Sequence, residues 1–141
     1  MDIEIKESCT IEPRSKAIAI AEVANDHKAL NLRILDVVGF CDYADYFVIM
    51  SAASTRQARS LAEAIGEKFS NTKAMPAKVI PEGYSNGEWI LLDLQDVVVH
   101  IFYEPVRDYY NFDKLWGHVP SVESPFYEIL GSMRRDVRPS M

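Results

Sequence analysis

The sequence predicts a single α/β domain in which a mixed β-sheet is flanked by helices. Its 141 residues, 48% of them hydrophobic, suffice for one substantial core and not comfortably for two. Segments with a helical apolar period alternate with short β-branched runs, in the order helix, strand, strand, helix, strand, strand, strand, helix. The run from Tyr46 to Ser51 is apolar almost throughout, as an inner strand covered on both faces requires.

Residues 1–14 read as an N-terminal extension, 15–117 as the domain and 118–141 as a partly flexible tail. The first helix is predicted from about Ser15 to Lys28, because Ile20, Val23, Ala24 and His27 recur on one face. Leu30 to Val38 reads as a strand, Gly39 to Asp45 as a loop, and Tyr46 to Ser51 as the inner strand. Ser54 with Gln57 three residues on makes a capping box, and Ala58, Leu61, Ala62, Ile65 and Phe69 form the apolar stripe of the helix behind it. Pro76 and Pro81 bracket a short predicted strand at Ala77 to Ile80, and Gly83 and Gly87 mark the following loop.

Trp89 to Asp93 and Val97 to Tyr103 are β-branched and aromatic segments separated by Leu94, Gln95 and Asp96, the pattern of a tight antiparallel hairpin. An amphipathic helix follows, carrying Arg107, Tyr109 and Tyr110, with Trp116 behind it. Such a concentration of aromatic and basic groups suits an interface centre or, equally, a lid over the domain's own core. After Gly117 the periodicity fails: Pro120, Pro125 and Pro139 interrupt it, Arg134, Arg135 and Arg138 cluster, and a short helix is read near Phe126 to Met133.

A net charge of −6 argues against a broad basic face gripping phosphate backbones and favours a basic protein partner. Cys9 and Cys41 form neither a disulfide framework nor a Cys-x-x-Cys pair, which suggests a reducing cytoplasm. No run approaches the roughly 20 apolar residues of a membrane span. His27, His100 and His118 are dispersed without thiols or carboxylates at ligand spacing, so neither metal nor cofactor is expected.

Between Ser15 and Trp116 the chain resembles the ribosomal silencing factor, or Iojap-like, family. The resemblance rests on Glu82-Gly83, Trp89, Asp93, Asp96, Val99-His100, Arg107, Tyr110 and Leu115-Trp116, with an earlier match where Asp45-Tyr46-Phe47-Val48-Ile49 enters a Ser51 to Gln57 turn. Unlike motifs in one order and spacing are more specific than any of them singly. The resemblance implies a fold related to nucleotidyltransferases but lacking their catalytic carboxylates. It further implies binding to the large ribosomal subunit through ribosomal protein fourteen, a block on subunit joining that represses translation, and a homodimer when free. Partner-binding residues expected on this ground are Glu82, Trp89, Asp93, His100, Arg107, Tyr110 and Trp116. The arginine-containing tail adds a minor contact to ribosomal RNA, or none. At Gln95 and Ala53 relatives commonly carry glycine, which puts in question a positive φ at Gln95.

Catalysis has little support. A nucleotidyltransferase needs a Gly-Ser turn and paired carboxylates for Mg²⁺, whereas Ser51-Ala52-Ala53-Ser54 has no glycine and no Asp-x-Asp follows it. The triple Ser51, His100 and Asp93 lacks a nucleophile elbow. Plainer roles stand beside the binding ones. Trp89 also reads as a half-buried core aromatic, His100 as a satisfied histidine on the less buried hairpin face, and Asp93 as a turn cap with Asp96. Arg107 pairs with Glu104 or Asp108 on its own helix or presents its fork to a partner. An alternative function is a large-subunit assembly factor; a residual nucleotidyltransferase is the other.

Overall fold

A computed structural model describes residues 12–72, 75–111, 114, 116, 117 and 119–122. Among them lie three helices and four strands in one mixed sheet. The strands are β1 (Leu30–Asp36), β2 (Tyr46–Ala52), β3 (Trp89–Asp93) and β4 (Val97–Tyr103), in spatial order β1-β2-β4-β3. The central pair β2 and β4 runs parallel, and each outer strand is antiparallel to its neighbour. The helices are α1 (Pro13–Asp26), α2 (Thr55–Phe69) and α3 (Glu104–Tyr110).

Helix α1 starts two residues before the predicted Ser15, inside the supposed extension, because Pro13 sits in its first turn, where a missing N–H costs nothing. It ends at Asp26, two residues before the predicted Lys28. Its Ala17, Ile20, Ala21 and Ala24 and the predicted stripe of α2 pack on one face of the sheet, against Val48, Met50, Val99, Ile101, Ile90 and Leu92. Lys16 is buried at the edge of this face. Its ammonium donates to the Leu94 carbonyl at 3.0 Å and to Asp96 Oδ1 at 2.7 Å, tying α1 to the hairpin turn. The Asp96 carbonyl in turn accepts from the amides of Asp45 and Tyr46, so the same turn anchors the start of β2.

The cap of α2 is a variant of the predicted box. Ser54 Oγ accepts from the Gln57 backbone N–H at 3.0 Å, but the Gln57 side-chain Oε1 accepts from Ala53 N–H at 2.8 Å, one residue earlier than the usual reciprocal bond. The Gln57 amide nitrogen then donates to the Lys28 carbonyl at 3.1 Å, joining this turn to the exit of α1.

The opposite face carries a smaller core of Leu35, Val37, Phe47, Ile49, Val98 and Phe102, covered by Ala44, Val106, Trp116 and Val119. Packed chain therefore continues past Gly117, where the tail was expected to start. Val122 is buried, its N–H donates to the Ile34 carbonyl, and the Pro120 carbonyl accepts from Asp36 N–H. The helix expected at Phe126 to Met133 and the Arg134, Arg135 and Arg138 cluster lie outside the described residues.

Two strand expectations need correction. β1 stops at Asp36, two residues short of Val38. Ala77 to Ile80 is not a strand: Pro76 and Pro81 offer no N–H, and the amide of Val79 is taken by Ser70 Oγ at 2.8 Å in place of a ladder partner. The hairpin, in contrast, has its predicted bounds. Its turn holds Gln95 at φ +75°, so the positive φ survives without glycine. Gln95→Gly relieves that conformation against a larger unfolded-state entropy. It is expected to stabilise the fold by about 0.5–1 kcal/mol, a rise of about 3 °C in Tm. A thermal melt showing no gain, or a loss, would count against strain at this residue.

Candidate interaction site

Alternation along β4 turns Val97, Val99 and Ile101 to the larger core and Val98, His100 and Phe102 to the smaller one. The ladder sets Phe102 between Trp89 of β3 and Ser51 of β2, and His100 between Leu91 and Ile49. Aromatic rings consequently line up across this face. Phe47 lies 4.7 Å from His100 and 4.9 Å from Trp116 in edge-on contacts, and Trp89 lies 4.8 Å from Phe102 and 5.3 Å from Tyr110.

At one end the row reaches solvent. Trp89 is 36% exposed, Tyr110 52% and Tyr109 80%, with Tyr109 and Tyr110 5.2 Å apart. Together they form an aromatic platform, built by the first residue of β3 and the last turn of α3. The carboxylate-bearing residues Glu82, Glu88, Glu104 and Asp108 are also exposed. A second exposed apolar group, Val38, Phe40 and Tyr43, occupies the β1–β2 loop, and Tyr43 joins the row through Phe47 at 6.3 Å.

The Glu82-Gly83 pair shapes the outer edge of β3. Glu82 exchanges both backbone hydrogen bonds with Leu91, each 2.9 Å. The next residue crosses so closely over β3 that a Cβ on Gly83 would lie 2.3 Å from the Trp89 carbonyl oxygen, and its φ of +81° also favours glycine. The glycine thus permits the chain to pass directly over the strand that starts with Trp89.

His100 is not on a less buried face. It is 4% exposed, because α3, Trp116 and Val119 cover the smaller core. Its Nδ1 lies 3.2 Å from Trp89 Nε1, and as the indole nitrogen can only donate, Nδ1 is the acceptor. Burial among apolar groups disfavours the charged ring and lowers its pKa from 6.5 to about 3.

Arg107 is also displaced from its expected role. It is 4% exposed, and Nη1 donates to the Asn31 carbonyl at 2.7 Å and to Ser51 Oγ at 2.9 Å. These two bonds clamp α3 to the sheet, across to β1 and β2, in place of the pairing expected within its own helix or at a partner. Asn31 sits at φ +48° within the irregularity between Leu30 and Arg33, where the β1–β2 register shifts. Asp93 accepts the Gln95 N–H at 2.9 Å, which makes it a turn cap. Trp116 is half-buried against Phe47. Of the expected partner-binding residues, therefore, Glu82, Trp89, Asp93 and Tyr110 offer surface, Trp116 offers part of its ring, and His100 and Arg107 lie beneath.

The serine, histidine and aspartate of the weighed triple are engaged separately, by Arg107, by Trp89 and by the turn amide. Among the described residues no group of three or more His, Cys, Asp or Glu is placed to hold a metal ion, and no helix is long and apolar enough to cross a membrane. Sequence reasoning did not single out Lys16, and it named Gln57 as a cap and Ser51 in the triple without their contacts to the Lys28 carbonyl and Arg107. For Lys16, a lone cation on an otherwise apolar helix face was the available signal.

These features define a small α/β domain whose second sheet face ends in a partly exposed aromatic platform supported by buried polar groups. A family model described as "Ribosomal silencing factor during starvation" matches residues 10–139, and the chain belongs to that family. It is 36% identical over 106 residues to a Bacillus subtilis protein named as a ribosomal silencing factor, covering 75% of this chain and 88% of the relative. A crystal structure of a Chromobacterium violaceum protein superposes with a TM-score of 0.68 at 29% identity, covering 82% of this chain and 91% of that one. A mouse protein named for mitochondrial assembly of the ribosomal large subunit is 24% identical over 98 residues, 69% of this chain and 43% of the relative.

Because the unfolded chain protonates His100 near pH 6.5 and the folded one only near 3, the unfolded state binds the extra proton in between. Stability is thus complete above about pH 6.5 and falls as the pH drops towards 3, with a limiting slope of about 1.4 kcal/mol per pH unit from this group. Urea unfolding between pH 7 and 5 should show that loss in the wild type and less of it in His100→Phe; identical profiles would remove His100 as the source.

Proposed function

We propose that this protein binds the large ribosomal subunit through ribosomal protein fourteen, on the face that meets the small subunit, and represses translation by preventing the subunits from joining. The observation that carries the reading is the Trp89–Tyr110 platform in a chain of the ribosomal silencing factor family. Half-exposed tryptophan and tyrosine supply large apolar area at little entropic cost, and such residues dominate binding energy at protein interfaces. The exposed Glu82, Glu88, Glu104 and Asp108, within a net charge of −6, suit a basic ribosomal surface and would hasten encounter at low salt.

The mechanism needs no catalysis and no cofactor: a bound body of this size occupies the surface the small subunit requires. The cytoplasm is the matching compartment, and the free protein pairs with a second copy through its exposed aromatic surface. The mouse relative's name favours a second reading, in which the same contact serves assembly of the large subunit. The two separate on loss of the protein: immature large particles accumulate only if it serves assembly.

Sedimentation with purified large subunits, followed by addition of small subunits, tests the primary reading. Wild type should co-sediment and reduce joined ribosomes, while Trp89→Ala should bind with a loss of about 2 kcal/mol or more. A folded Trp89→Ala protein that binds as the wild type does would remove the platform from the contact. The arginine-containing tail is assigned at most a minor contact to ribosomal RNA. A chain ending after Val122, which keeps every described residue, should bind somewhat more weakly at low salt and with a shallower salt dependence; an unchanged salt series would exclude the tail.

A further inference from the structure

We infer that His100 is the positioning residue of the docking platform: it accepts the indole N–H of Trp89 and so fixes which surface of that ring is offered to a partner. The inference rests on the docking reading above and deepens it.

Trp89 opens an edge strand, and one flank of its ring faces solvent. Packing on Phe102 and Tyr110, at 4.8 and 5.3 Å, fixes the distance of the ring from the sheet but does not by itself choose between the two χ2 orientations, which carry the N–H to opposite sides. A directional contact is needed to choose the orientation, and the indole offers one polar atom for it. That atom points inward, to His100 Nδ1 at 3.2 Å. His100 is diagonal to Trp89 across the β3–β4 ladder, since Trp89 pairs with Phe102 and Leu91 with His100.

The acceptor is itself held. The imidazole is enclosed by Phe47, whose ring meets it edge-on at 4.7 Å, and is flanked in register by Ile49 and Leu91. None of these neighbours is charged, so the ring stays neutral near pH 7 and Nδ1 keeps its lone pair. A phenylalanine or leucine would fill an apolar site of this kind but could not accept the indole proton.

Two consequences follow. With its N–H spent inside the molecule, Trp89 meets the partner as a donor-free ring, so recognition uses stacking and apolar or cationic contact in preference to a hydrogen bond from the indole. The energetic role of His100 is also indirect: it touches no partner atom yet alters the shape of the surface that does.

The test uses the full chain and purified large ribosomal subunits, with Trp89→Ala, His100→Phe and His100→Asn beside the wild type. The asparagine side-chain oxygen can stand near the place of Nδ1 and accept the same proton. His100→Phe should bind on the order of tenfold more weakly, and His100→Asn should recover most of that loss. A readout independent of binding is the indole N–H signal of Trp89, identified by its absence in Trp89→Ala. It should exchange slowly with solvent in the wild type and His100→Asn and faster in His100→Phe.

Wild-type affinity in His100→Phe, with Trp89→Ala weakened, overturns the positioning role and leaves the docking reading standing. Wild-type affinity in Trp89→Ala as well overturns both. Should His100→Phe fail to fold, nitrogen chemical shifts of His100 in the unaltered protein decide the matter. An unprotonated Nδ1 with a protected Trp89 indole supports the assignment, and a protonated Nδ1 overturns it.

Discussion

Parallel pairing of β2 with β4 at the centre of the sheet is the constraint on which the rest of the structure depends. Parallel neighbours cannot be joined by a tight turn, so the chain between them must leave the sheet and return. In this protein the excursion contains α2, the loop through Glu82 and Gly83, and β3, which re-enters as the outer partner of β4. A central pair of this kind also needs both faces covered. One is covered amply by α1 and α2. The other receives only the short α3 and the segments around Ala44, Trp116 and Val119, and that shortage of covering chain leaves a row of rings partly in solvent.

The thinner face is also where buried polar groups gather. Ser51, His100 and Arg107 all lie on it, and each is engaged: Ser51 with Arg107, Arg107 with the Asn31 carbonyl, His100 with Trp89. Burying a guanidinium costs free energy that hydrogen bonds must offset, and replacing a buried polar group by a well-packed apolar one is often neutral or stabilising. What the polar arrangement supplies is direction. Arg107 ties α3, which carries Tyr110, to the sheet, and His100 accepts the indole N–H of Trp89. Both halves of the platform thus have a hydrogen-bonded support lying just below them.

Local signals in the sequence were enough for most elements and for little of the site. The hairpin was legible to the residue because β-branched runs end sharply at Asp93 and resume at Val97, and the α2 stripe because its spacing is regular. The Ala77 to Ile80 strand failed since flanking prolines say where a strand cannot extend, not that one exists. Gln95 kept a positive φ because the surrounding turn, with Asp93 capping its amide, determines the backbone more than the residue's own preference does. The polar framework was hidden for a different reason. Arg107 meets partners 56 and 76 residues away, and Lys16 meets Asp96 across 80, separations at which no periodicity carries information. Alternation along β4 puts His100 on the face opposite Val99, as the structure has it. It could not say that both faces would be covered.

On the docking reading, partner contact and ring support divide between residues that occur together in the family pattern. Trp89 and Tyr110 bring area to the surface, whereas His100, Arg107 and Gly83 make that surface possible from below. A motif reading alone does not separate them, because a motif gives residue types and spacing but not burial. Geometry separates them. Removing a ring that touches the partner takes away contact area directly, and removing a support leaves the area but frees its orientation, so the bound state must then order a side chain that the native fold had already ordered. On that reading the cost of losing a support is entropic and falls on binding in proportion to how mobile the ring becomes.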